Sequence, residues 1–153
     1  MIENFEKLSH ERKIDVLVAI CIIRIKNIIT NKIDLGENEG TYQCIYKVEN
    51  NMDKYEYVPL YSTLLTSAWD VIKKFDYIYL FKSKDFKKGQ WECKLQDDKG
   101  VLVVGNKSIS AKYYAWAETE QLAICYAGLK AVGFDVKTFL QEEERNKHHD
   151  EIL

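Results

Sequence analysis

Apolar positions recur at helical spacing early in the chain, at Ile14, Leu17, Val18, Cys21, Ile22, Ile25, Ile28 and Ile29. Ser9 is placed to cap this helix, and Glu11 in its first turn suits the helix dipole. The spacing predicts a first helix ending near Thr30 and Asn31, with a stripe broad enough to bury more than one side. Residues 36–40 read as an acidic loop. Tyr42, Cys44, Tyr46 and Val48 then alternate as in a strand. Residues 50–53 read as a turn, and Tyr55 to Val58 as a short strand stopped by Pro59.

Beyond Pro59 the period lengthens again. Ser62 or Thr63 is expected to cap a second helix, whose stripe is Leu65, Ala68, Trp69, Ile72 and Phe75. Tyr77 to Phe81 is an aromatic and β-branched run suited to a strand, followed by a basic turn over residues 82–89. Trp91, Cys93 and Leu95 alternate as its return strand, with a turn expected at residues 97–100. Val101 to Val104 reads as another short strand, and Gly105 and Asn106 as a turn. Ile109, Ala111, Tyr113 and Ala115 alternate into Trp116. A third helix starts near Glu118 and Thr119, with Leu122, Cys125, Tyr126, Leu129 and Val132 on its core face and Gly133 as its stop. A last helix from about Asp135 carries Val136, Phe139 and Leu140, and its end over residues 142–151 is charged enough to be solvated or frayed. Runs of strands joined by short turns imply an antiparallel sheet, which one-sided helices must cover. The expected class is α+β, an antiparallel sheet covered by helices in an α/β/α sandwich. One domain over 1–153 is expected, its core at about 10–133 and its charged helix at 135–150.

Size agrees. At 153 residues, a chain buries about two thirds of its unfolded surface, enough for one core. A net charge of -2 argues against general nucleic-acid binding, which rests on a basic surface. The longest apolar run, Val16 to Ile23, falls far short of the ~20 residues a membrane span needs. Bracketed by Asp15 and Arg24, it is no signal peptide either, so a cytosolic protein without membrane association is expected. Cys21, Cys44, Cys93 and Cys125 are scattered and read as small buried hydrophobes, not as disulfides or a metal site. Only Arg12, Arg24 and Arg145 are arginine, so few groups are available for bidentate phosphate or carboxylate recognition.

Three segments stand out together. They are the helix from Glu11 to Ala19, the stretch Pro59-Leu60-Tyr61-Ser62-Thr63 leading to Ala68-Trp69, and Ala117-Glu118-Thr119 leading to Ala123-Ile124-Cys125, with the strand Trp91-Glu92-Cys93 between. Over roughly residues 10–133 the chain resembles the phage ABA sandwich domain family of small phage and prophage proteins. The resemblance implies a helix–sheet–helix sandwich and a site of action in the host bacterial cytoplasm. It brings no defined catalytic residues. The acidic loop at 36–40, the basic turn at 82–88 and the C-terminal helix depart from the family pattern, and a specialised function could sit there. At the level of class, small phage proteins include sponges that bind cyclic nucleotide signals of bacterial immunity, such as Thoeris and CBASS signals, without cleaving them.

Catalytic patterns are absent: there is no GxxxxGK[ST], GxGxxG, GxSxG or HExxH. His10 stands at a helix start, and His148 and His149 lie in the charged tail. The chain is therefore read as a non-enzyme without metal or cofactor. Asp15, Asp70 and Glu118 beside apolar runs keep a carboxylate hydrolase open as an alternative. Binding features are more pointed. Tyr61, Ser62 and Thr63 put a ring and two hydroxyls at an expected helix start, where free N–H groups favour anions, although simple capping uses the same residues. Tyr77, Tyr79, Phe81, Trp91, Tyr113, Tyr114 and Trp116 concentrate aromatic rings on strands. Alternation sends one set to the core and the other to a cleft or partner. Trp91, Tyr113 and Trp116 are candidates to stack a base, Lys112 to meet a phosphate, and Arg24 to reach a ligand, pair with Asp70 or Glu118, or extend to water. The reading is a phage binding protein that sequesters a small nucleotide-type immune signal. The alternative is a protein-interaction or structural module. The broad stripe of the first helix and the surplus of rings further suggest a homodimer or higher homo-oligomer.

Overall fold

Ser9 accepts the Arg12 N–H and so starts helix α1 (His10–Val18) as expected. The helix then loosens into a π-helical turn, Ala19–Ile23, and stops at Arg24, which adopts a left-handed conformation with its N–H on the Ala19 carbonyl. The first helix is thus shorter than its periodicity suggests. The isoleucines beyond Arg24 leave the helix, and Ile29–Ile33 is strand β1. β-Branched residues lose side-chain freedom in helices and fit a pleated surface.

The computed structural model describes residues 2–33, 41–49, 54–75, 77–82, 91–104 and 107–152. The expected loops at 36–40, 50–53 and 105–106, and nearly all of the basic turn, lie outside them. A short 3-10 helix, Phe5–Lys7, precedes α1, and the remaining elements are β2 (Thr41–Lys47), β3 (Tyr55–Tyr57), α2 (Leu65–Ile72), β4 (Tyr77–Lys82), β5 (Trp91–Val104), β6 (Lys107–Ala117), α3 (Glu120–Ala131) and α4 (Val136–Ile152). The α+β class holds, and the described strands divide between two antiparallel sheets, β1-β2-β3 and β4-β5-β6. The turn expected at 97–100 is absent. Strand β5 runs through it, and the ladder to β6 shifts register between Asp97 and Val101, as at a bulge.

Helix α3 occupies the centre. Thr119 caps it by accepting the Leu122 N–H, and Gly133, at φ +86°, ends it. Its seven residues from Ala123 to Leu129 are all buried, the mark of a helix enclosed on every side rather than along one stripe. It packs on β5 and β6 and also on α1, α2 and the π-helical turn. Small side chains make this close approach possible: Cys93, Ala115 and Ala117 on the sheet, Ala123 and Ala127 on the helix. At Gly128 a side-chain carbon would lie 2.8 Å from both Ile22 Cδ1 and Val71 Cγ1, so any larger residue would force those side chains to shift.

The charged end of α4 is solvated as expected, exposed at 142 and 144–148, but it stays helical, and Glu143 turns back to α1. Val136 is buried, and the His10 ring stacks on Phe139 at 5.9 Å. Glu143 accepts from Lys13 Nζ at 2.7 Å and lies 3.1 Å from His10 Nδ1. Burial would raise the Glu143 carboxyl, but the hydrogen bonds with Lys13 and His10 outweigh it and hold the group below its ordinary 4.5. Burial would likewise lower Lys13, yet Glu143 and Glu6 hold it above 10.5. A carboxyl depressed in the folded state adds stability above its ordinary pKa and loses it as the pH falls through the depressed value. Urea unfolding from neutral pH to below 4.5 should therefore show a loss on acidification that is smaller in Glu143→Gln than in the unmodified chain. Gly128→Ala should lower stability by about 1–3 kcal/mol through overpacking, with the unfolding midpoint as the measure.

Candidate functional site

Three buried polar side chains, Lys13, Asp15 and Ser62, show where polar chemistry enters the interior. Asp15 stands inside the apolar run of α1 with no solvent exposure. One carboxylate oxygen accepts the Ser62 N–H at 2.7 Å, and the other accepts from Arg12 Nη1 at 2.7 Å. Arg12 Nη2 donates to the Val58 carbonyl at 2.9 Å, and the Ser62 hydroxyl donates to the Glu11 carbonyl at 3.1 Å. The Val58 N–H in turn donates to the Cys44 carbonyl. This network ties α1 to β2, to the end of β3 and to the turn before α2. Burial pushes the Asp15 carboxyl up, and the Ser62 and Arg12 hydrogen bonds only partly reverse this.

The network changes the expected roles. Tyr61 and Ser62 are buried, and both polar groups of Ser62 are spent inside the fold. Neither presents a group to an anion at the surface. Ser62 and Thr63 do not cap α2 either: that helix begins at Leu65, with Leu64 before it and no side-chain cap. Of the three, Thr63 alone is exposed. Arg12, one of three arginines, is committed to the interior. Arg24 is exposed at the end of the π-helical turn, while Asp70, one of its expected partners, pairs with Lys73 at 3.2 Å.

The aromatic strands separate by face. In the β4–β6 sheet, Trp91 and Tyr113 share the inner face with the buried Cys93, Leu95 and Ala115, and Trp91 packs against the core. Trp116 lies on the opposite face. Lys112 pairs with Gln96 in the ladder. The eight residues singled out from the sequence therefore do not converge on one place.

What converges is a set of six on the outer face. The register aligns Tyr79, Lys94 and Tyr114 in one row across the three strands, and Phe81, Glu92 and Trp116 in the next. Tyr79, Phe81 and Tyr114 are each about half exposed, at 50%, 49% and 47%. Tyr79 and Phe81 stack at 6.2 Å, and Tyr114 meets Trp116 edge-on at 5.2 Å. Lys94 and Glu92 pair at 3.6 Å between the rings. The rings were legible in the sequence. The two charges were not singled out, although their spacing of two puts them on the same strand face as each other. A groove of about 300 Å³ lies elsewhere, between Phe5 and α4, with Phe134 and Phe139 in its lining. No helix among the described residues is long and apolar enough to cross a membrane.

Thiol chemistry is suppressed. All four cysteines are free, and Cys44, Cys93 and Cys125 are buried. Burial pushes the Cys93 thiol up to about 12 and Cys125 well above its ordinary value, far from the thiolate a nucleophile requires.

The family model described as the phage ABA sandwich domain matches residues 16–129. The fold is similar to that of a phage protein from Bacillus cereus ATCC 14579, known from a 2.0 Å crystal structure. That similarity has a TM-score of 0.56 at 19% identity, covering 84% of this chain and 92% of the other. No curated protein matches the chain.

The buried network yields a test. Arg12→Ala leaves the Asp15 carboxylate without its counter-charge, which should cost about 3 kcal/mol near neutral pH. A carboxyl raised in the folded state contributes stability at low pH and loses it as the pH rises through the raised value. The deficit of Arg12→Ala in urea unfolding should therefore shrink on acidification; an equal deficit at every pH would contradict the assigned network.

Proposed function

The chain belongs to the phage ABA sandwich domain family, and on that premise we propose that it is a non-enzymatic binding protein whose contact surface is the outer face of the β4–β6 sheet. Its ligand is a small nucleotide-type signal of bacterial immunity, of the Thoeris or CBASS kind, held without cleavage in the host cytoplasm. One observation carries this reading: three half-exposed rings and a lysine share one sheet face. A purine stacks on such rings with about 1–3 kcal/mol per base. Lys94, between Tyr79 and Tyr114, is the cation beside the stacking surface, and a phosphate would take it from its 3.6 Å pairing with Glu92. The non-enzymatic part of the proposal draws support from the carboxylate best shielded from water. Both Asp15 oxygens are already bonded within the fold, and an acid–base group must reach its substrate.

A second reading takes the same face as a docking surface for a host protein. It is favoured by the shape of the surface, since exposed rings on a three-stranded sheet also suit the aromatic-rich centre of a protein interface.

Thermal unfolding against cyclic dinucleotides, cyclic trinucleotides and cyclic ADP-ribose isomers, with chromatography of the recovered ligand, separates these readings. Ligand at 100 times its dissociation constant adds about 2.7 kcal/mol, so binding is visible as a raised melting temperature. Intact ligand is expected on recovery, and Tyr114→Ala should weaken binding by about tenfold or more, the loss of one stacking contact. Altered ligand would replace the proposal with an enzyme. No shift with any compound would move the function to a protein partner.

A further inference from the structure

The outer face of the β4–β6 sheet carries a charge pattern that fits itself. Its two rows are Tyr79–Lys94–Tyr114 and Phe81–Glu92–Trp116, each a ring, a charge and a ring. The central charges are opposite, so the face as a whole is neutral at its middle and apolar at its flanks. Half-exposed rings over two rows form a contiguous apolar patch of the kind that marks an interaction site.

We infer that this face pairs with the same face of a second copy of the chain, about a two-fold axis lying between the rows and running across the strands. The inference rests on the reading of this face as the contact surface and names its partner. A two-fold interface sets one patch against itself, so any residue contact occurs twice. Of the two-fold axes in the plane of the contact, two stack the sheets with their strands aligned. An axis along the strands sets each row over its own copy and brings Lys94 onto Lys94 and Glu92 onto Glu92. An axis across the strands, between the rows, sets each row over the other. Lys94 of one copy then meets Glu92 of the second, Tyr79 meets Phe81, and Tyr114 meets Trp116. Only the second arrangement pairs opposite charges while keeping ring on ring. It also keeps the strands of the two sheets aligned, as in packed sheets generally. The composition of the patch agrees with this partner: an acidic or basic partner would leave one of the two central charges opposed by its like. A planar base entering this interface would lie between two aromatic layers instead of on one.

Sedimentation velocity over a range of concentrations tests the inference, using the full chain without ligand. The unmodified protein is expected as a dimer. Glu92→Lys and Lys94→Glu should each shift it to monomer, because each sets like charges against each other twice. The double variant carrying both exchanges should restore the dimer, which a merely misfolded variant would not do. A monomer at every concentration overturns the inference, as does a dimer whose stability none of the exchanges alters. The nucleotide panel is judged apart from this result. A dimer that binds no nucleotide removes the ligand reading and leaves the pairing, while a monomer that binds one does the reverse.

Discussion

The helices and the β4–β6 sheet are arranged around the burial of α3 on all sides. A helix enclosed from Ala123 to Leu129 must meet a sheet on one flank and other helices elsewhere, with no face left for solvent. That geometry demands small residues. Gly128 accommodates Ile22 and Val71, while Ala115 and Ala117 let the β4–β6 sheet approach. Interiors packed at crystal density respond to single methylene changes, so these positions limit what the chain can substitute. Fixing α3 against the inner face of the sheet also decides which strand residues are left outside, and so produces the outer face by exclusion.

Much of this was legible in the pattern of the chain. Alternation placed Cys93, Leu95 and Ala115 on one side of their strands, and the caps of α1 and α3 were readable at Ser9 and Thr119. The misreadings share a cause, because local signals were overridden by tertiary contacts. The isoleucine run looked helical through Ile29, but its β-branched residues serve equally in a strand, and the helix broke at Arg24. Asp97 to Gly100 looked like a turn because their composition is that of one, yet the sheet absorbed them as an irregularity within β5. The enclosure of α3 was half visible: Leu122, Cys125, Tyr126 and Leu129 were read as its core face, but not the burial of the residues between, and Val132, read with them, lies exposed just past the helix end.

The candidate site divides in the same way. Ser62 carried the composition of a helix cap, and a one-dimensional reading could not see that Asp15, 47 positions away, would take its N–H. The signal available was an aspartate within an apolar helical run with an arginine three residues before it, a pattern that suits a buried pair better than a surface one. The aromatic residues were visible as a group, but their division between inner and outer faces depends on strand register. Register is a relation between strands that a single strand does not carry. Glu92 and Lys94 gain meaning only when β4 and β6 place rings on either side of them.

The thiols give the interior a built-in chemical clock. Cys93 and Cys125 sit against α3 or within it, without solvent exposure and with their protons held tightly. An alkylating reagent needs both access and thiolate, so it reaches these sulfurs only when the layers around α3 part. The rate at which they are modified therefore reports how often the centre of the molecule opens. Because the two residues lie on opposite sides of the helix–sheet contact, labelling one without the other would reveal an opening that separates α3 from the sheet only in part.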